Sequence, residues 1–251
     1  MKVVFLGVGE AFDTNIPNNS HLVLSESKVL LDCGYSVPQQ LWKHSEDPDF
    51  LDAIHISHRH ADHYFGLAPL LYRMKQDRRK KPMTVVCQKD LVVPIKEMLD
   101  LGYRELEQKV GKVYDLRFVG VEEGETIQIN ELSLSFAPTV HIVPNYAVRV
   151  SDGVHSVCYS GDGNYNGRTE ELYEGSDLVI HEAFLLDKRT TAHGCITDVV
   201  EMAKRNGVGC LALTHLDRNF RRHELDKARR LVQGGDVKVI IPEPGDTYNL
   251  R

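Results

Sequence analysis

Six consecutive residues hold four metal-competent side chains: His58, His60, Asp62 and His63. Imidazole nitrogen and carboxylate oxygen are the usual ligands of a borderline-soft cation such as Zn²⁺. Ahead of them Ala53-Ile-His-Ile-Ser57 alternates as a strand does, and behind them the apolar run Leu67, Leu70, Leu71 forms helix. In extended backbone, residues two apart share a face, so His58 and His60 can grip one ion. Asp62 and His63, where the chain turns into the helix, can point at a second ion beside it. A polar loop of solvated histidines is the plain alternative, but four ligand types at a strand-to-helix junction rarely coincide by chance.

The pattern His-x-His-x-Asp-His resembles the hallmark motif of the metallo-β-lactamase superfamily. Two divalent metal ions are therefore expected, zinc first, with manganese or iron as alternatives.

The elements that must position such a site are legible in the apolar pattern. Val3 to Leu6 reads as a strand, and His21 to Leu24 with Lys28 to Leu31 as a hairpin. Asp32-Cys33-Gly34 turns the chain into a helix over Val37 to His44. One helix should run from the motif to about Met74, then a strand over Met83 to Cys87 and a helix from Asp90 to about Leu101. Strands are expected over Val113 to Val119, Glu125 to Ile129 and Leu132 to Phe136, with a second hairpin over Tyr146 to Val150 and Val154 to Tyr159. Alternation then resumes: strand Leu178 to Ile180, helix Thr197 to Arg205, strand Gly209 to Leu213, helix Arg222 to Leu231, strand Val237 to Ile241. Each half opens with hairpins and closes with β/α alternation. Two such halves stacked sheet on sheet give a four-layer α/β/β/α sandwich, read here as one domain over residues 1–251.

Three further candidate ligands fall at strand ends, where α/β folds build sites. His141 follows the Ala-Pro138-Thr turn, Asp162 follows Val157 to Gly161, and His215 follows Cys210 to Thr214. One ion held by His58, His60 and His141, a second by Asp62, His63 and His215, and Asp162 bridging would satisfy both. His21, His44, His55, His155 and His223 read as structural.

Composition sets the limits. A hydrophobic fraction of 42% and a charged fraction of 26% are those of an ordinary globule, and no apolar run is long enough to span a bilayer. Five cysteines without paired spacing argue against a disulfide framework and for a reducing cytoplasm. A net charge of −6 argues against a surface built broadly to coat nucleic acid. Two basic clusters, residues 73–81 and 218–230, read first as solvated faces.

Within the superfamily the chain is most similar to ribonuclease Z and its short relatives. The resemblance rests on Phe5-Leu-Gly-Val-Gly9, Leu31-Asp-Cys-Gly34, His181-Glu182-Ala183 and Ala192-His193-Gly194. It implies that His193 lies beside the metals and serves the scissile phosphate or the leaving oxygen. It also implies that His181 and Glu182 hold ligands or His193 in orientation, and that the protein is a homodimer, as relatives commonly are. Two features depart from the family. Gly194-Cys195 replaces Ser-Thr, and only Ile142 to Gly161 stands where ribonuclease Z carries its tRNA-binding arm.

The chemistry implied is hydrolysis of a phosphodiester, in RNA or a small molecule. Two cations lower the pKa of a water from about 15.7 toward about 7, Asp62 doubles as ligand and proton acceptor, and His193 supplies the leaving oxygen's proton. Hydrolysis of a carboxylic ester, thioester or lactone on the same metal core is the alternative. A non-catalytic metal-binding module fits less well, because structural sites usually close four ligands around one ion. A redox di-iron site is disfavoured by the intact His60.

Overall fold

The computed structural model describes residues 1–250. The first half runs β1 (Lys2–Gly7), β2 (Ser20–Leu24), β3 (Lys28–Leu31), α1 (Val37–His44), β4 (Ala53–Ile56), α2 (Ala61–Tyr64), α3 (Leu67–Gln76), β5 (Met83–Gln88), α4 (Val92–Gly102), α5 (Leu106–Gly111) and β6 (Leu116–Val121). The second runs β7 (Thr126–Ile129), β8 (Leu132–Pro138), β9 (Tyr146–Ser151), β10 (Ser156–Tyr159), α6 (Gly167–Tyr173), β11 (Leu178–Glu182), α7 (Ile196–Arg205), β12 (Cys210–Thr214), α8 (Arg218–Val232), β13 (Lys238–Ile240) and β14 (Thr247–Asn249).

Two seven-stranded sheets result, ordered β14-β1-β2-β3-β4-β5-β6 and β13-β12-β11-β10-β9-β8-β7. Each is antiparallel through its hairpins and parallel where helices supply the crossovers. Three apolar clusters fill the three spaces between layers. Leu22, Leu30, Ile54 and Val85 pack under α1, α3 and α4, and Val3, Phe5, Leu31, Leu134, Val148 and Ile180 meet between the sheets. Val179, Leu211 and Leu213 pack under α7 and α8. This is the expected four-layer sandwich. Both β4 and β5 are almost wholly buried on both faces, which is why they read as apolar runs rather than alternations.

Several boundaries differ from expectation for identifiable reasons. The helix after the motif is two helices, broken at Phe65-Gly66. There the Gly66 amide donates to the Cys33 carbonyl, and a Cβ on Gly66 would land on the Gly34 carbonyl oxygen. The strand expected from Val113 starts only at Leu116, because Val113 and Tyr114 still donate to the Val110 carbonyl as α5 ends. The last helix starts at Arg218 rather than Arg222, since the Asp217 side chain caps it by accepting from the Asn219 and Phe220 amides. Helix α6 was unforeseen, although Asn166 and Thr169 form a complete capping box. Strand β14 is held by antiparallel pairing with β1 at the other end of the chain.

Among the described residues no helix is long and apolar enough to cross a membrane. The five cysteines are free and buried. Between His141 and Asp162 the chain forms only β9, a tight turn and β10, so a short hairpin occupies the place of an arm.

Candidate metal centre

The carboxyl ends of β4, β10 and β12 and the loop after β8 open on one edge of the sandwich. Their side chains converge there. His58, His60, His141 and Asp162 form one group of donor atoms and Asp62, His63 and His215 another, each group lying within 4.8 Å. The Asp162 carboxylate faces both: Oδ2 is 3.8 Å from His58 Nε2, while Oδ1 is 3.4 Å from His63 Nε2 and 3.5 Å from His215 Nε2. Asp62 Oδ2 lies 3.1 Å from His63 Nε2 and 3.6 Å from His215 Nε2. The seven residues singled out in the sequence therefore meet.

The hydrogen bonds behind the rings decide what the front atoms offer. His141 Nδ1 lies 2.8 Å from the Ala192 carbonyl, which only accepts, so His141 carries its proton there and presents a bare Nε2. That atom is 3.3 Å from His60 Nδ1, which is 3.0 Å from His58 Nε2. Three imidazole nitrogens thus crowd one point. His63 Nε2, Asp162 Oδ1 and His215 Nε2 are buried without hydrogen-bond partners. Buried polar atoms left without a well-formed hydrogen bond are costly, and a divalent cation in place of the imidazole protons is what this set of side chains suits.

The two groups differ electrostatically. Burial pushes the His58, His60 and His141 imidazoles below their usual range, so they stand neutral with lone pairs available. In the second group burial opposes charge too, yet Asp162 and Asp62 outweigh it. His63 is driven well above the usual histidine range and His215 up to about 9. Against the same burial, His63 and His215 hold Asp62 and Asp162 below the usual carboxylate range. The carboxylates of that second group thus favour positive charge, held as imidazolium protons that a cation would replace. His215 also sits in the left-handed backbone region (φ 55°), unusual for a non-glycine and typical of functional sites.

Around the cluster lies a cavity of about 530 Å³, whose walls include Phe12, Tyr35, Ile142, Phe184, His193 and Arg218. The His193 ring stacks on Phe184 (4.7 Å) and His215 (5.6 Å), with Nδ1 3.7 Å from Glu182 Oε2. Glu182 Oε1 accepts from the Gly163 and Gly194 amides, tying the Asp162 and His193 loops together. His181 departs from expectation. Period-2 alternation on β11 turns it to the opposite face from Glu182, where its ring meets Tyr173 at 5.7 Å and holds no ligand. Cys195 is buried at the start of α7 beside Thr197 and does not line the cavity.

Sequence reasoning took Asp32 only as part of a turn. It is fully buried at φ 59° and accepts from the Ser57 amide, the Ser57 hydroxyl, His63 Nδ1 and the Tyr159 hydroxyl, all at 2.6–2.7 Å. A carboxylate closing a buried strand in Leu-Leu-Asp-Cys-Gly was the available signal. Asn145 was also missed: its amide bonds Thr139 Oγ1 and the Ser160 carbonyl, and its Oδ1 accepts from the Asp162 amide.

Sandwich and convergent His/Asp cluster together define a metallo-β-lactamase-fold protein. The sequence profile of the Anti-Pycsar protein Apyc1 family matches residues 1–237, and the chain belongs to that family. It is 28% identical over 247 residues to the probable metallo-hydrolase YhfI of Bacillus subtilis, covering 95% of this chain and 96% of that protein. The YhfI crystal structure superposes with a TM-score of 0.82 at 25% identity, covering 98% of each chain. Ribonuclease Z of Methanococcus maripaludis (strain C5) is 25% identical over 315 aligned positions, covering 100% of this chain and 98% of that one. Human tRNase Z, short form, shares the fold with a TM-score of 0.80 at 22% identity, covering 100% of both chains.

Proposed function

We propose that this protein is a metal-dependent phosphodiesterase holding two divalent cations, zinc first, and acting on a small phosphodiester. The observation that carries the reading is the donor cluster at the floor of the 530 Å³ cavity, a volume in the usual range for small ligands, about 300–1,000 Å³. In this reading His58, His60 and His141 hold one ion, Asp62, His63 and His215 the other, and Asp162 lies between. Because ligands come from both sheets, residues 1–251 act as one domain.

Two divalent ions held there would supply Lewis acidity for activating water and for the charge on a phosphoryl oxygen. The chain's own residues do the rest. Asp62 accepts the proton of the attacking water. His193 gives a proton to the leaving oxygen, its ring packed against both Phe184 and His215. Glu182 keeps the His193 and Asp162 loops in register.

A small substrate is favoured over tRNA by the short β9–β10 hairpin and by the use of several residues of the basic clusters within the fold. Arg79 is buried on the Pro48, Leu51 and Pro82 carbonyls, Arg73 pairs with Asp77 and Lys81 with Asp52. Arg218 pairs with Glu10, and Arg221 and Arg229 with Glu243. The free, buried cysteines suit a reducing cytoplasm.

The test is hydrolysis of bis(p-nitrophenyl) phosphate with Zn²⁺ or Mn²⁺ restored, with p-nitrophenyl carboxylic esters alongside. Turnover of the diester alone is expected. Turnover of the esters alone would replace this reading with a carboxylic ester hydrolase. For a small substrate, affinity should respond weakly to salt, whereas a steep fall would mark nucleic acid.

A further inference from the structure

We infer that Ser57 is a positioning residue for the first ion position alone, and that Asp32 and Tyr159 anchor both positions through one shared carboxylate. The inference rests on the proposed ligand roles of His58 and His63 and adds how the two positions are coupled.

The direction of each hydrogen bond follows from chemistry. Asp32 Oδ2 receives three groups: the Ser57 hydroxyl at 2.7 Å, His63 Nδ1 at 2.6 Å and the Tyr159 hydroxyl at 2.7 Å. A carboxylate accepts only, so all three donate. His63 therefore keeps a proton on Nδ1, and once an ion takes the place of the proton on Nε2 that atom is bare toward the second group. Ser57 has spent its only hydrogen on Asp32, so toward His58 Nδ1, 3.0 Å away, its oxygen can only accept. His58 must then carry its proton on Nδ1 as well, and it too presents a bare Nε2, here to the first group.

One carboxylate thus fixes the tautomer of a ligand at each position, directly for His63 and through a single hydroxyl for His58. Ser57 serves only the second of these paths. Its backbone contacts do not depend on the hydroxyl: the amide donates to Asp32 Oδ1 and the carbonyl accepts from Gln88 and from the Tyr146 amide. Tyr159 brings in the other sheet. It ends β10, two residues before the turn into Asp162, and its hydroxyl also accepts from Asn19 Nδ2 at 3.2 Å. The ligand from the second sheet is thereby tied to the anchor of the ligands from the first.

The test is Co²⁺ titration of the metal-free full chain, followed by visible absorption and compared across variants. His60→Ala identifies which binding event belongs to the first position, because it removes a ligand there only. Outer partners of metal ligands typically matter by about 10- to 100-fold in affinity. Ser57→Ala should weaken the first event by that factor and change the second by less than about threefold. Asp32→Asn should weaken both, and Tyr159→Phe should weaken both by less than Asp32→Asn does. Circular dichroism of each metal-free variant reads folding separately from ion binding. Equal weakening of both events in folded Ser57→Ala, or of neither, would overturn the assignment of Ser57 while leaving the metal centre intact. A wild-type chain that binds no Co²⁺, or a His60→Ala chain that binds it like wild type, would bring down the ligand assignment and this network with it.

Discussion

Both sheets deliver ligands to one edge, but they do so in opposite ways. The first half supplies His58, His60, Asp62 and His63 from a single turn after β4. The second supplies His141, Asp162 and His215 one at a time, from the loop after β8 and the ends of β10 and β12. In the first half the ligands are contiguous, and their turn is held by the Asp32 carboxylate on Ser57 and His63 and by the Cys33 amide on the His63 carbonyl. In the second the geometry depends on β8, β10 and β12 being correctly stacked, and on cross-ties such as Asn145 to Thr139 and Ser160 and Glu182 to Gly163 and Gly194. A compact motif makes a half-site, and packing makes the other half.

Substitutions can break this comparison to different degrees. The largest effect is expected at Asp162, the residue of the second half that faces both donor groups. Asp162→Ala should reduce metal content at both positions and bring diester turnover to background, read by elemental analysis and rate. Retention of a full metal complement would remove its bridging role. His193→Ala should cut turnover by about 10²–10⁴-fold, the usual worth of a positioned proton donor, with metal content unchanged. A parallel loss of metal would make His193 a ligand instead.

The first half can be strained without replacing a ligand. A Cβ on Gly34 would land on the carbonyl oxygen of Asp62, a backbone atom that cannot step aside cheaply. Gly34→Ala should therefore cost about 1–3 kcal/mol in chemical denaturation and lower ion affinity. An unchanged denaturation midpoint would show that the turn after β3 yields easily.

A last effect, confined to acid pH, concerns the seam between the halves. His21 of β2 packs edge-on against Phe5 and against Tyr159 of the other sheet, and burial drives its pKa down to about 3. A group depressed on folding favours the folded state above its unfolded pKa of about 6.5, and that contribution is lost as pH falls toward 3. Stability should decline by about 1.4 kcal/mol per pH unit across that window from this residue. His21→Phe should flatten the slope, as measured by urea midpoints between pH 7 and pH 4. An identical slope in the variant would assign the acid sensitivity elsewhere.

The same asymmetry governs what could be read from the sequence. The motif of the first half was legible because its ligands are contiguous. The ligands of the second half were legible only by asking which histidines and aspartates follow strands. The architecture was legible from the repeated hairpin-then-β/α pattern, while β14 was not, because only its pairing with β1 makes it a strand. Asp32 and Tyr159 lie far apart along the chain, and nothing local to either announces their bond. His181 shows the converse error. The resemblance of His181-Glu182-Ala183 to the family motif implied a shared role, and strand alternation sends the two side chains to opposite faces.

The measurement that tests the account most directly is zinc per chain in the reconstituted wild type, His60→Ala and His215→Ala, with bis(p-nitrophenyl) phosphate turnover on the same samples. The account predicts two zinc ions in the wild type, about one in each variant, and turnover in the wild type alone. Full turnover and an undiminished zinc content in His60→Ala would contradict it.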